Sequence, residues 1–234
     1  MNATASPIRD GVAALLPSKP IQEFPAKHVL YGPYQPCCKL YFVRCGRVAI
    51  TSSLGCLSPV IRSIVGPGGL FGEASLISSA DPSETSHTLD KAQLVSWSRA
   101  EVEQHISYDP RLGLLLIRYF AQRCEDLNQR LEARAFLNTP ERVMVALLHL
   151  AERLGTPYEL GIRMAPLTQQ MIAEYVGTSR EIVASEMAKL RRLGLVQYSR
   201  KFIQIDAREL RQTLRQRGLN SEPSDVPLAR AAAS

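Results

Sequence analysis

Cysteine is scarce in this chain: five residues, an odd number. That count argues against a disulfide framework and makes free thiols the expectation. Long apolar runs are also missing. The longest, Val143–Leu148, falls far short of the ~20 residues that a membrane-spanning helix requires. The first residues, MNATASPIRDGVAALLP, lack the charged-then-apolar build of a signal peptide, so a cytoplasmic protein with no membrane partner is expected. No GxSxG, P-loop, HExxH or dinucleotide fingerprint occurs, and no carboxylate pair is tied to a nucleophile, which argues against an enzyme. Adjacent Cys37-Cys38 is poor spacing for a metal cluster, and His28, His105 and His149 show no paired ligand spacing, so no metal and no cofactor are expected. Internal repeats are absent.

What is present is basic charge, placed unevenly. Lys and Arg number 28 against 22 Asp and Glu, with a pI near 9.2. Residues 138–219 hold 13 basic and 8 acidic side chains. A basic excess confined to one region is what phosphate neutralisation asks for. Arg208, Arg211, Arg215 and Arg217, on a late amphipathic stretch, read as an ordinary solvated face. The length of 234 residues accommodates two domains, each with its own core.

Residues 166–205 carry the sharpest pattern. A short helical segment, Gln169–Tyr175, runs into Gly177. Thr178-Ser179 then form an N-cap pair for a second helix, from about Arg180 to Leu193, closed by Gly194. Two short β-rich runs follow, joined by Tyr198-Ser199-Arg200-Lys201. This is a helix-turn-helix with a β-hairpin wing, whose second helix enters the DNA major groove.

The rest of the chain reads as α+β. From Val29 to Trp97, short β-favouring runs (Lys39–Val43, Arg47–Thr51, Val60–Val65, Ala92–Trp97) alternate with glycine punctuation, as in an antiparallel roll. Trp97 reads as core. Asp109-Pro110 starts a long helix. Along it Leu116, Phe120, Cys124, Leu127 and Leu131 recur at helical spacing with charged shoulders. That seam suits packing on a copy of the same helix, and it equally suits packing on the chain's own roll. The expected division is a 1–20 extension, a 21–108 β-roll, a 109–137 dimerisation helix and hinge, a 138–219 winged helix-turn-helix, and a disordered 220–234 tail.

In that order these parts resemble the Crp/Fnr family of bacterial transcription regulators. The resemblance rests on Gly32 with Leu40-Tyr41-Phe42-Val43-Arg44-Cys45-Gly46-Arg47-Val48. It also rests on Gly69-Leu70-Phe71-Gly72-Glu73-Ala74-Ser75-Leu76, on Ala135-Phe136-Leu137 at the hinge, and on Gly177-Thr178-Ser179-Arg180-Glu181-Ile182-Val183 at the recognition helix. It implies a homodimer on an inverted-repeat duplex, with RNA polymerase as a further candidate partner.

Chemistry gives the matched residues their roles. The Arg180 fork matches guanine O6 and N7, and Glu181 can accept from a cytosine amino group or hold Arg180. Ser185 stands where the family often places another Arg, which removes one guanine contact. Lys189 lies further along the same helix. Thr168, Gln169 and Gln170 are placed for phosphate at a helix start, and Arg200 and Lys201 for phosphate at the wing tip.

The effector end departs from the nucleotide-binding pattern. Gly72, Glu73 and Ala74 match the segment that meets the ribose. No Arg or Lys lies between Arg62 and Lys91 to take the cyclic phosphate. Helix dipoles or backbone N–H groups of the cassette could stand in for such a cation, as could an Arg from a partner subunit, with Arg123 and Arg130 on the long helix as the candidates. Leu127 and Asn128 stand where a Thr-Ser pair would meet adenine. Cyclic AMP is therefore not the expected effector, and Gly72 and Glu73 read as a turn and its partner. The alternatives are a cyclic-nucleotide response or a redox or haem sensor using roll side chains such as Cys56 and His87. Buried small hydrophobes are the plainer reading of the roll cysteines.

Overall fold

The computed structural model describes residues 11–216, except 13, 54–58, 78–82 and 160. The expected tail at 220–234 and Cys56 lie outside the described residues.

Strands β1 (Gln22–Phe24), β2 (Val29–Tyr31), β3 (Lys39–Cys45), β4 (Val48–Ser52), β5 (Val60–Val65), β6 (Leu70–Phe71), β7 (Glu84–Thr88) and β8 (Ala92–Ser98) build the roll. They form two antiparallel sheets of order β1-β8-β3-β6 and β2-β7-β4-β5. Alternation along the strands sends Val43, Val48, Ile50, Phe71 and Leu94 inward to a common core. Gly46 turns β3 into β4 with φ of 81°.

Helix α1 (Arg99–Tyr108) follows. It fills the interval that the sequence reading left without structure. Its signal was present: Ser98 and Glu101 form a reciprocal capping box. Val12, Leu16, Pro17 and Lys19 of the expected extension are also tied down. Val12 and Leu16 are buried beside Trp97, Leu112 and Leu116. The Trp97 indole donates to the Pro17 carbonyl at 2.9 Å, and Lys19 pairs with Glu101.

Helix α2 (Pro110–Phe136) starts where expected, with Asp109 as N-cap and Pro110 in the first turn. Its seam needs correction. Leu116 is only 5% exposed, packed on the chain's own roll with Leu112 and Tyr119, and Phe120 lies partly buried against Tyr119. The exposed large apolar side chains of the helix are Leu114 (59%), Ile117 (66%), Leu127 (45%), Leu131 (63%) and Phe136 (82%), of which Leu114, Ile117 and Leu131 share one stripe. With Ala121, Cys124 and Asn128, also exposed, they run at steps of 3, 4, 3, 4 and 3. This is the heptad pattern of a helix pair. Of the seam expected from sequence, Cys124, Leu127 and Leu131 are exposed, whereas Leu116 and Phe120 lie on the inward face.

The C-terminal domain comprises α3 (Thr139–Leu154), β9 (Thr156–Tyr158), β10 (Gly161–Met164), α4 (Gln169–Val176), α5 (Arg180–Arg192), β11 (Val196–Tyr198), β12 (Ile203–Ile205) and α6 (Ala207–Gln216). Its sheet has the order β11-β12-β10-β9. Val143, Leu147, Ile172, Val183, Met187, Leu190 and Leu210 fill its core, which Ile61 and Ile64 of the roll join. Arg47 spans the two domains, paired with Asp90 at 2.6 Å and donating to the Ala165 and Pro166 carbonyls. On α6, Arg211 pairs with Glu152 and Arg208 is exposed, as a solvated face requires.

Candidate nucleic-acid interface and effector region

The geometry of α4 and α5 follows from their caps. The Thr168 hydroxyl accepts from the Met171 N–H at 3.1 Å. Gly177 ends α4 in the left-handed region at φ of 76°, and a Cβ there would collide with the Arg134 guanidinium. The Ser179 hydroxyl accepts from the Ile182 N–H at 3.4 Å and starts α5. Val183, Met187 and Leu190 point inward, which turns Arg180, Glu181, Ile182, Ser185 and Lys189 outward on one exposed face.

The roles on that face divide. Arg180 is exposed at the first turn with no acidic partner among the described residues, and Glu174 is instead taken by Gln170 at 2.9 Å. The Glu181 carboxylate turns back on the helix start, held by its own N–H and the Ser179 hydroxyl. These, with Arg180, lower its pKa. Lys189 pairs with Glu186 at 2.5 Å. Gln169 is half-buried and Gln170 exposed at the start of α4, and Thr178 lies in the turn. Ile182 is 41% exposed. The sequence reading gave it no role, because an apolar side chain on an amphipathic helix is assigned to the buried stripe by default.

The wing is tightly built. Ser199 N–H donates to the Phe202 carbonyl at 2.9 Å and its hydroxyl accepts from the Lys201 N–H at 3.1 Å, leaving the Arg200 and Lys201 side chains exposed. The Arg163 guanidinium lies 3.2 Å from the Tyr158 ring centroid and 4.4 Å from that of Phe202. It also donates to Gln204 at 2.7 Å, fixing the hairpin to the sheet.

At the roll, Gly72 has φ of 86°, and a Cβ there would collide with the Lys39 carbonyl. The turn Glu73–Leu76 begins after it, so Glu73 and Ala74 follow a strained backbone that only glycine supplies cheaply. Arg123 of the same chain donates to Glu73 Oε2 at 3.0 Å and to the Leu70 carbonyl at 3.3 Å. Arg123 is thus engaged within its own chain, because the rise of α2 brings it back over its own roll. Burial disfavours the Arg123 charge, but Glu73 and neighbouring groups raise its pKa overall. Arg130, the other candidate, does not reach the cassette. It donates instead to the carbonyls of Ile61, Arg62 and Tyr175. Leu127 faces the domain junction, away from the cassette, and Asn128 is exposed.

Beside Glu73 the roll interior is aromatic. Tyr41 stacks on Phe71 at 4.9 Å and 9°, and Tyr31 lies 6.3 Å from each. Tyr31 donates to Glu84 at 2.8 Å, and Glu84 also holds Arg62 at 2.8 Å. Burial raises the Tyr41 pKa to about 12 and that of the Cys37 thiol to about 11, so Cys37 is protonated and unreactive at neutral pH. His87, on β7, is half-buried with a lowered pKa caused first by desolvation. No cluster of metal-ligating side chains occurs among the described residues, and none of their helices is long and apolar enough to cross a membrane.

An antiparallel roll, a long connecting helix and a winged helix-turn-helix with an exposed basic recognition face define a ligand-sensor-like domain coupled to a DNA-binding domain. Residues 21–109 match the cyclic nucleotide-binding domain family and residues 141–213 the Crp-like helix-turn-helix domain family. The chain is 30% identical over 199 residues to the CRP-like cAMP-activated global transcriptional regulator of Mycobacterium tuberculosis, covering 85% of this chain and 89% of that one. It is 24% identical over 188 residues to the global nitrogen regulator of Synechocystis, covering 79% and 84%. In fold it is similar to FixK2 from Bradyrhizobium japonicum, with a TM-score of 0.73 at 19% identity over 84% of this chain and 97% of that one. The chain belongs to the Crp/Fnr family of bacterial transcription regulators. It is a transcriptional regulator with a helix-turn-helix DNA-binding domain, and the relatives it matches are regulators rather than enzymes.

Proposed function

We propose that the protein acts in the cytoplasm as a homodimer that reads an inverted-repeat operator. The observation that carries this reading is the outer face of α5, where Arg180, Ile182 and Ser185 stand exposed at the helix start. Arg180 reads a guanine. Ile182 supplies an apolar contact to a thymine methyl, since apolar side chains are what that group selects. Ser185 and Lys189 lie one and two turns on. Thr168, Gln169, Gln170, Thr178, Arg200 and Lys201 meet phosphates and set the register. Glu181 caps the start of α5 and leaves Arg180 free to reach a base. The dimer closes along Leu114, Ile117, Ala121, Cys124, Asn128 and Leu131. RNA polymerase is a further proposed partner. Titration of duplex DNA at rising salt tests the reading: affinity must fall linearly on a log–log plot with a slope set by the phosphates contacted.

For the effector, the roll reading is that cyclic AMP is not the signal. Arg123 already serves Glu73, and Tyr31, Tyr41 and Phe71 occupy the adjoining space. A cyclic-nucleotide response is the second reading. It is favoured by the placing of an Arg and a Glu together at the cassette and by the similarity to a regulator described as cAMP-activated.

A further inference from the structure

The roll and the DNA-binding domain meet around a cavity of about 300 Å³. Its floor is apolar, formed by Leu127 of α2, Val145 and Ala146 of α3, and Val176 of α4. Its rim is cationic: Arg62, Arg130, Arg134 and Arg142 all line it, and no Asp or Glu does so among the described residues. Arg62 is committed to Glu84, and the nearby Asp126 is engaged by Arg153 at 2.8 Å.

Arg130, Arg134 and Arg142 make no salt bridge among the described residues, although Asp126 acts on Arg130 through its field. Arg130 sits 4.1 Å over the Tyr175 ring and donates to backbone carbonyls, partners that satisfy its N–H groups without neutralising it. Burial first, then the positive fields of Arg134 and Arg153, lower its pKa, with Tyr175 and Asp126 opposing. Arg142 donates from Nη2 to Thr139 at 3.1 Å. Its Nε is buried without a hydrogen-bond partner, whereas Nε2 of the neighbouring His149 faces Asp126 Oδ1 at 3.5 Å. A buried donor without an acceptor is costly, and doubly so on a cation. An apolar cavity of this size with a few convergent polar groups has the usual make-up of a small-molecule site.

We propose that this junction binds an amphipathic organic anion, an apolar body bearing a single carboxylate or phosphate, as an effector. One anionic head supplies both the missing acceptor and the missing charge, and the tail covers Leu127, Val145 and Val176. The site is separate from the cassette at Gly72 and Glu73. It touches β5 through Val60, the long helix through Leu127 and the hinge through Arg134. The Arg134 guanidinium fills the space beside Gly177 in the helix-turn-helix, so an occupant is coupled to the setting of α5 relative to the roll. The binding claim stands apart from DNA recognition; only the effector role rests on it.

The test is calorimetric titration of the full-length protein, without DNA, with octanoate, octyl phosphate and octanol. The tighter of the two anions identifies the head group. The expected result is one site per chain for an anion, with octanol bound at least about tenfold more weakly. Arg142→Gln, on the rim, should weaken the anion about tenfold and leave octanol unchanged, while Val145→Phe, which fills the floor, should weaken both. Saturating anion should then change duplex affinity by about threefold or more. Failure of both anions to bind, equal binding of anion and alcohol, or an anion affinity untouched by Arg142→Gln would overturn the site. Unchanged duplex affinity would overturn its effector role alone.

Discussion

Arg123 donates to Glu73 at 3.0 Å from fifty residues further along the same chain, with the Arg side chain 14% and the Glu side chain 44% exposed. The long helix thereby clamps the segment of the roll that would meet a ribose. A nucleotide entering there must compete with an ion pair already made and with the Tyr41–Phe71 stack.

The first prediction follows from that clamp. Cyclic AMP at tens of micromolar should leave operator affinity unchanged within twofold. Fluorescence anisotropy of a labelled duplex measures this. A micromolar site lost on Glu73→Ala would restore the cyclic-nucleotide reading. Arg123→Ala should lower stability by ~1–2 kcal/mol, the lower part because Glu73 is half in water.

Base readout gives the second. Arg180→Ala should cost roughly 1–3 kcal/mol and relax one position in each half-site, whereas Lys201→Ala should weaken all duplexes alike and flatten the salt slope. Ile182→Ser should lose a preference for thymine over uracil at one position. Equal binding of both duplexes by the unsubstituted protein would remove the methyl contact.

The seam gives the third. Ile117→Glu places like charges across an apolar helix contact and should yield monomers in light scattering. Leu116→Ala should instead cost ~2–5 kcal/mol of stability by opening a cavity while leaving the dimer assembled. If Leu116→Ala dissociated the dimer and Ile117→Glu did not, the register drawn from exposure would be wrong.

Acid stability gives the fourth. Lys19 first, then the Ser98 backbone and hydroxyl, depress the Glu101 pKa from 4.5 to about 2. A carboxylate whose folded pKa is lowered contributes stability above its unfolded pKa and loses it as pH falls through the folded value. Thermal melts should show that contribution fading from about pH 4.5 to 2, and Glu101→Gln should remove that part of the acid limb. An identical limb in the variant would detach the capping box and Lys19 from stability.

Much of this fold was legible from local signals. Gly177 and Ser179 mark the turn and cap of the helix-turn-helix because left-handed backbone and N-capping have narrow residue preferences. Pro110 marks the start of α2 for the same reason. Long-range pairing was not legible. Nothing near residue 73 announces Arg123, because the contact depends on how α2 lies over the roll. The seam was half legible: periodicity finds an apolar stripe, but both faces of α2 carry apolar residues, one packed on the roll and one exposed. Ser98-x-x-Glu101 was a readable start for α1 that the strand pattern before it obscured. Arg142 and the junction cavity arise only when two domains are brought together.

The central claim is that two recognition helices read one duplex by twofold symmetry. Selection of bound duplexes from a random pool by the full-length protein tests it most directly. The account predicts an inverted repeat whose half-site centres lie about one helical turn, ~34 Å, apart, with guanine and thymine positions lost on Arg180→Ala and Ile182→Ser. Recovery of asymmetric single sites, or of no preferred sequence at all, would contradict it.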